Sequence, residues 1–362
     1  GLLRADGKFD DALAMLDAAA EASPEDAASW RRSAALMLFE SGRVTEAIGR
    51  LEALLAEDPE NADVRHELVT LLNQRGFRFD ANEHVRQLCR QGKATPDELR
   101  GLMFPTRSFT GLERKPSAED VELIRRNGAL NVARAMYSEG DVVEAVKVLR
   151  DSELVKKKNP AAYAFYGMAL IESQHFDEFE DWLAAVPESA RRYPAYWLAA
   201  GGWAMRQRRF DIAVGQFAEA VLREPGDLAA IDRMTQALAA GGHQGEQERF
   251  RRRGVLIDRL MNLTREVFGA QRIDPAAVQE ISALLNESGR SPAALAWFRI
   301  AIDQMGSPAA AVRQLDQALA MTKEQEFRNN NRIMKICGLD LKRFPSDFDF
   351  AKAGSVENTT TD

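Results

Sequence analysis

The residues with reactive side chains are few and poorly grouped. The four histidines, His66, His84, His175 and His243, are scattered and give no metal-ligand spacing. Cys89 and Cys337 lie 337 − 89 = 248 positions apart, with no CxxC between them, and read as buried free thiols. Carboxylates pair at Glu178–Glu180 and Asp120–Glu122, where general acid–base work is conceivable. Amphipathic helices supply such pairs routinely, and catalysis needs tuned groups in a pocket, not spacing alone. No glycine-rich phosphate loop, HExxH or GxSxG is present. Positive charge is concentrated in Lys156–Lys158 and Arg249–Arg253, and neither run is interleaved with aromatics as a single-strand surface requires. Both read as solvated helix ends or faces, with a phosphate or acidic-peptide contact as the functional alternative. We expect no catalytic residue, no metal and no cofactor.

Composition narrows the classes further. Of 362 residues, 48 are basic and 55 acidic, a net charge of 48 − 55 = −7. That balance speaks against nucleic acid or an anionic membrane as the main partner. The longest apolar stretches, around AAYAFYGMALI and AYWLAAGGWAM, are about half a membrane span. We expect a soluble segment, cytoplasmic or periplasmic. The Ala- and Arg-rich composition without a disulfide pattern points to a bacterial protein.

What must position any site is a repeat. From Gly42, Ala47 follows at five residues, Leu51 at nine, Leu54 at twelve and Pro59 at seventeen. From Gly7 the same offsets give Ala12, Leu16, Ala19 and Pro24, and the two anchors differ by 42 − 7 = 35. Gly76 comes 34 later; Gly140, Gln174, Arg208 and Gly242 are each spaced by 34; Gly289 anchors an eighth unit. Two amphipathic helices of three to four turns fit this period. The anchor sits where the first helix stops and turns, a place for positive φ. Small residues seven before it (Gly167, Gly201) and five after it (Ala47, Ala213) let the helices approach closely. Proline ends the second helix. The aromatics at helical spacing, Tyr163, Phe165, Tyr166, Phe179, Trp182 and Trp197 among them, should mostly pack between helices.

In period and signature these units resemble the tetratricopeptide repeat family, as about eight partly degenerate copies reaching to about residue 305. Gln174 and Arg208 depart from its anchor glycine. The resemblance implies an all-α fold, a right-handed α-α superhelix, with a concave groove lined by the first helix of each unit. It implies a non-enzymatic scaffold that binds a peptide or protein segment there. Mapped onto this sequence, the family's groove positions fall at Arg32, Leu36 and Phe39, then at His66, Thr70 and Asn73. Further on they fall at Asn127, Asn131, Arg134 and Tyr137, then at Phe165, Ala169 and Glu172, then at Leu198, Gly202 and Met205, and finally at Arg233 and Gln236. The mixed stretch Asn131, Arg134, Tyr137 and Phe165 is the preferred site, with Arg134 able to anchor a carboxylate through paired hydrogen bonds. The family's chaperone-tail clamp is not expected, because Glu67 stands where the clamp is cationic.

The period breaks twice. Between Gly76 and Gly140 lie 64 residues, and between Gly242 and Gly289 lie 47. The division expected is repeats at 1–93, an insertion or elbow at 94–125, repeats at 126–258, an extended helix, further repeat and capping helix at 259–321, and a tail or linker at 322–362. The insertion could be a loop crossing the array, or a short helix and loop. Ser307 reads as the N-cap of the capping helix, with Pro308 in its first turn. CGLDLKRFPSDFDF reads as an exit linker. Helix-like sequence is already running at the second residue, so a piece of a longer polypeptide is expected, with its other domains as possible partners. An alternative function follows: an architectural or regulatory arm of a larger enzyme or surface protein, its groove filled by its own chain.

Overall fold

The computed structural model describes residues 8–107, 128–269, 274–322 and 331–347. Those residues form nineteen α-helices and two short 3-10 turns, with no strand among them. Helices α1 (Lys8–Ala22), α2 (Ala27–Glu40), α3 (Val44–Glu57), α4 (Ala62–Gln74) and α5 (Arg78–Arg90) build the first repeats. A short α6 (Pro96–Gly101) follows. The series resumes with α7 (Ala129–Ser138), α8 (Val142–Arg150), the single turn α9 (Glu153–Lys156), α10 (Pro160–Glu172) and α11 (Phe176–Ala185). Then come α12 (Pro194–Arg206), α13 (Phe210–Arg223), α14 (Leu228–Ala240) and the 26-residue α15 (Gln244–Gly269). Finally α16 (Pro275–Glu287), α17 (Ser291–Gln304), α18 (Ala309–Ala320) and α19 (Asn331–Ile336) complete the array.

The turns form where the spacing places them. Gly42, Gly76, Gly140, Gly242 and Gly289 all hold φ between +80° and +88°. Gln174 (φ +62°) and Arg208 (φ +59°) take the same left-handed conformation without being glycine. Geometry, not residue identity, is thus what the repeat conserves along the chain. Gly7 lies outside the described residues. Pro24, Pro59 and Pro225 each stand two residues past the end of a second helix. The small slots are filled by neighbours: Ala47, Ala81, Ala145 and Ala213 are wholly buried. A Cβ on Gly167 would sit 2.2 Å from the Trp182 ring, and one on Gly201 2.4 Å from Phe217. The aromatics pack as expected, with Phe179 and Trp182 stacked at 4.9 Å and the Trp182 indole donating to the Tyr163 carbonyl.

Two details correct the sequence reading. Pro308 itself occupies the N-cap position of α18, with no side-chain cap, so Ser307 does not serve as one. The stretch read as an exit linker is docked as far as residue 347. The Phe344 carbonyl lies 2.5 Å from where Gly215 would carry a Cβ, Arg249 donates to the Cys337 carbonyl at 2.7 Å, and Arg343 pairs with Glu246. The C-terminal helices also meet the N-terminal repeats. α18 packs on α5 and α17 on α6, and a Cβ on Gly92 would strike Asp316. Among the described residues no helix is long and apolar enough to cross a membrane.

Candidate functional site

The first helices of successive repeats bring the preferred groove residues together. Tyr137 meets Phe165 edge-on at 5.5 Å, and the Arg134 guanidinium lies over the Phe165 ring at 5.0 Å. Their surroundings differ from an open groove. Phe165 is fully buried, Arg134 is 4% exposed, and Asn131 donates to the Gln74 carbonyl at 2.9 Å. Burial disfavours the charged form of Arg134, and the nearby Arg78 adds to the effect. Burial likewise pushes the Tyr137 phenol up to about 12.

The cause is the stretch that breaks the period. Thr95 and Glu98 cap α6 reciprocally, Pro96 starts it, and the helix ends within six residues. Residues 102–107 then run across the array as a strap. Arg290 donates to the Leu102 carbonyl at 2.8 Å and Arg78 to the Pro105 carbonyl at 2.9 Å. The Thr106 amide donates to Glu224 Oε1 at 2.6 Å. Arg107 grips Asp227 through Nε and Nη2 at 3.0–3.2 Å, and its Nη1 donates to the Tyr137 hydroxyl at 3.1 Å. Asp227 is meanwhile the N-cap of α14, accepting from the Ala229 and Ala230 amides. Paired, hydrogen-bonded charges of this kind are how a folded chain tolerates buried ions. Burial and repulsion from Asp227 raise the Glu224 carboxyl above its usual range. Residues 108–125 of the insertion, and Asn127 among the groove positions, lie outside the described residues.

The other groove positions stand apart from this seam. Arg32 pairs with Glu67 at 2.5 Å, and His66 with Glu98 at 2.6 Å. Phe39 is half-buried against the core, whereas Thr70 and Asn73 are exposed. Arg233 pairs with Glu172 at 2.5 Å, and Gln236 is exposed. The run Arg249–Arg253 is no uniformly solvated face. Arg253 is 5% exposed and ties the Ser288 and Pro225 carbonyls together, while Arg251 and Arg252 pair with Glu248 on the surface. Sequence reasoning missed Arg107, Glu224, Asp227 and Arg290. Only Asp227, which stands ahead of the apolar run Leu228–Ile231 as an N-cap does, carried a local signal.

Residues 2–75 and residues 130–201 each match a family model described as tetratricopeptide repeat. The matched stretches coincide with the turn geometry and helix pairs above: the chain carries tetratricopeptide repeats and is built as a helical repeat solenoid. No curated protein matches the chain. Tetratricopeptide repeats generally mediate protein–protein interaction.

Proposed function

We propose that the chain is a non-enzymatic interaction scaffold acting as an architectural arm, with the middle of its concave face held by its own strap. One observation carries this reading: residues 106–107 lie beside Arg134, Tyr137 and Phe165, where an extended partner segment would lie, with Arg107 bonded to the Tyr137 hydroxyl and the Thr106 amide to Glu224. A peptide entering that stretch would have to replace the Arg107–Asp227 pair and the Thr106–Glu224 hydrogen bond, not merely fill space. The face left to a protein partner is the inner surface of the first repeats around Arg32, Phe39, His66 and Asn73, where polar groups and an aromatic border exposed ground. In this reading the strap fixes the curvature of the array, and the partner reads its N-terminal portion.

The test is photo-crosslinking in the source cells, with a benzophenone residue at position 73, 131 or 236 in turn. Protein adducts should concentrate at position 73. Adducts concentrated at 131 would return the mid-array groove to the role of peptide site and refute the self-filled reading.

A further inference from the structure

Beside the strap lies a cavity of about 50 Å³, lined by Asn82, Arg86, Met103, Gly226, Arg290 and Pro292, with Glu224 and Asp227 on its wall. The donors and acceptors around it are unequally matched. Asp227 is taken by Arg107 and by two helix amides, and Glu224 by the Thr106 amide. Arg290 spends Nη2 on the Leu102 carbonyl, but its Nη1, sealed from solvent, has no hydrogen-bond acceptor. Behind Glu224, Arg134 repeats the pattern: the residue is 96% buried by its 4% exposure, and neither Nε nor Nη1 finds an acceptor. A buried charged donor left unmatched is costly, so native chains rarely keep one without a use. Glycine at 226 leaves the ground in front of Arg290 bare, since a Cβ there would lie 3.0 Å from Nη1.

We infer that this cavity is a binding site for a small tetrahedral oxyanion, phosphate or a phosphate monoester, held by Arg290 Nη1 with Asn82 and Arg86 beside it. Surplus donors select an anion over a cation. The volume is that of a few water molecules, about 10–15 Å³ each on this scale, which suits one such ion. Arginine is the side chain whose planar fork matches phosphate oxygens. Arg253, tied to the adjacent Pro225 carbonyl, adds positive charge behind the site. The site goes beyond the scaffold reading and does not depend on it.

The test uses the whole chain, titrated with inorganic phosphate and separately with O-phosphoserine at constant ionic strength, by calorimetry and thermal unfolding. Phosphate or phosphoserine should give saturable heat and a rise in Tm that equal chloride does not. Gly226→Ala, which sets a methyl 3.0 Å from Nη1 and only in ordinary contact, at 3.4 Å, with the Met103 carbonyl of the strap, should weaken the affinity at least tenfold with helicity retained. Arg290→Lys should weaken it as well. Tighter binding of phosphoserine would mark a monoester as the source, and tighter binding of phosphate a free ion. No saturable response to either probe, or an equal response in Gly226→Ala, would overturn the site.

Discussion

Arg107→Ala removes the centre of the strap. In the folded chain Asp227 has no exposed side-chain surface, and Arg107 only 17%. Deleting one partner of such a pair strands the other, at roughly 3–5 kcal/mol in comparable buried pairs. Asp227 keeps part of its compensation, because its Oδ1 still accepts from Ala229 at 3.0 Å and Ala230 at 3.4 Å at the start of α14. Carboxylates at helix N-termini recover about 0.3–2 kcal/mol. Loss of the bond from Arg107 to the Tyr137 hydroxyl adds about 1 kcal/mol to the cost. The net is about 3 kcal/mol, close to a factor of a hundred at 1.4 kcal/mol per tenfold. A repeat array need not unfold in one step, so the assay should be local. Hydrogen exchange at the Thr106 amide, which donates to buried Glu224, reads the strap directly. Its protection should fall about a hundredfold in Arg107→Ala by the arithmetic above, and less in Asp227→Asn, because asparagine still caps α14. Arg107→Leu combined with Asp227→Asn should cost less than the sum of the two, because no stranded charge remains. Protection within threefold of wild type in Arg107→Ala would refute the strap as an energetic element.

Three further outcomes follow from the same geometry. Glu224 has a folded-state pKa above its ordinary 4.5, so the folded chain binds more protons than the unfolded one. Stability should therefore rise as pH falls through the folded value, level off near 4.5, and fall as pH rises; Glu224→Gln should flatten that difference in pH-dependent urea melts, and an unchanged slope would contradict it. Gly242→Ala meets nothing within 4 Å and tests backbone alone at φ +80°, at a cost of about 1 kcal/mol, whereas Gly201→Ala collides with Phe217 and should cost roughly 1–3 kcal/mol; denaturant midpoints in the reverse order would sink the packing account. Cys89, pushed up to about 12 by burial, and Cys337, raised by burial too, should resist a disulfide reagent at pH 8 until urea unfolds the chain, and a fast native thiol would show that these helices open.

The repeat was legible because it is local. An anchor, a small residue five later and a proline seventeen later describe one hairpin, and each requirement acts within 34 residues. Gln174 and Arg208 show the limit of reading by identity: they break the glycine rule yet occupy its backbone conformation. The helical spacing also brought Tyr137, Arg134 and Phe165 into mutual contact. The lid over them was not legible. Arg290 and Leu102 are 188 positions apart, and Thr106 and Glu224 are 118 apart, so no periodicity links them. The sequence marked 94–125 as a break in phase that could be a loop crossing the array or a short helix and loop, and could not name the residues that would hold it. A strap is specified by a few polar matches at its ends, and single polar residues have no period to reveal them.

Those long-range matches change what kind of solenoid this is. An open array has contacts only between neighbouring repeats, and its stability is nearly a sum along one dimension. Here Asp80 on α5 accepts from Tyr193, Glu83 pairs with Arg192, α6 meets α17, and α18 returns to α5. The strap fastens the same seam from within. Such cross-links should resist the flexing of a simple superhelix and give the chain one preferred curvature. A scaffold gains by that: a partner meeting the first repeats meets a surface already set, and ordering costs on binding fall accordingly. The buried arginines at the seam are the cost of closing the array, and an oxyanion beside Arg290 would relieve part of it.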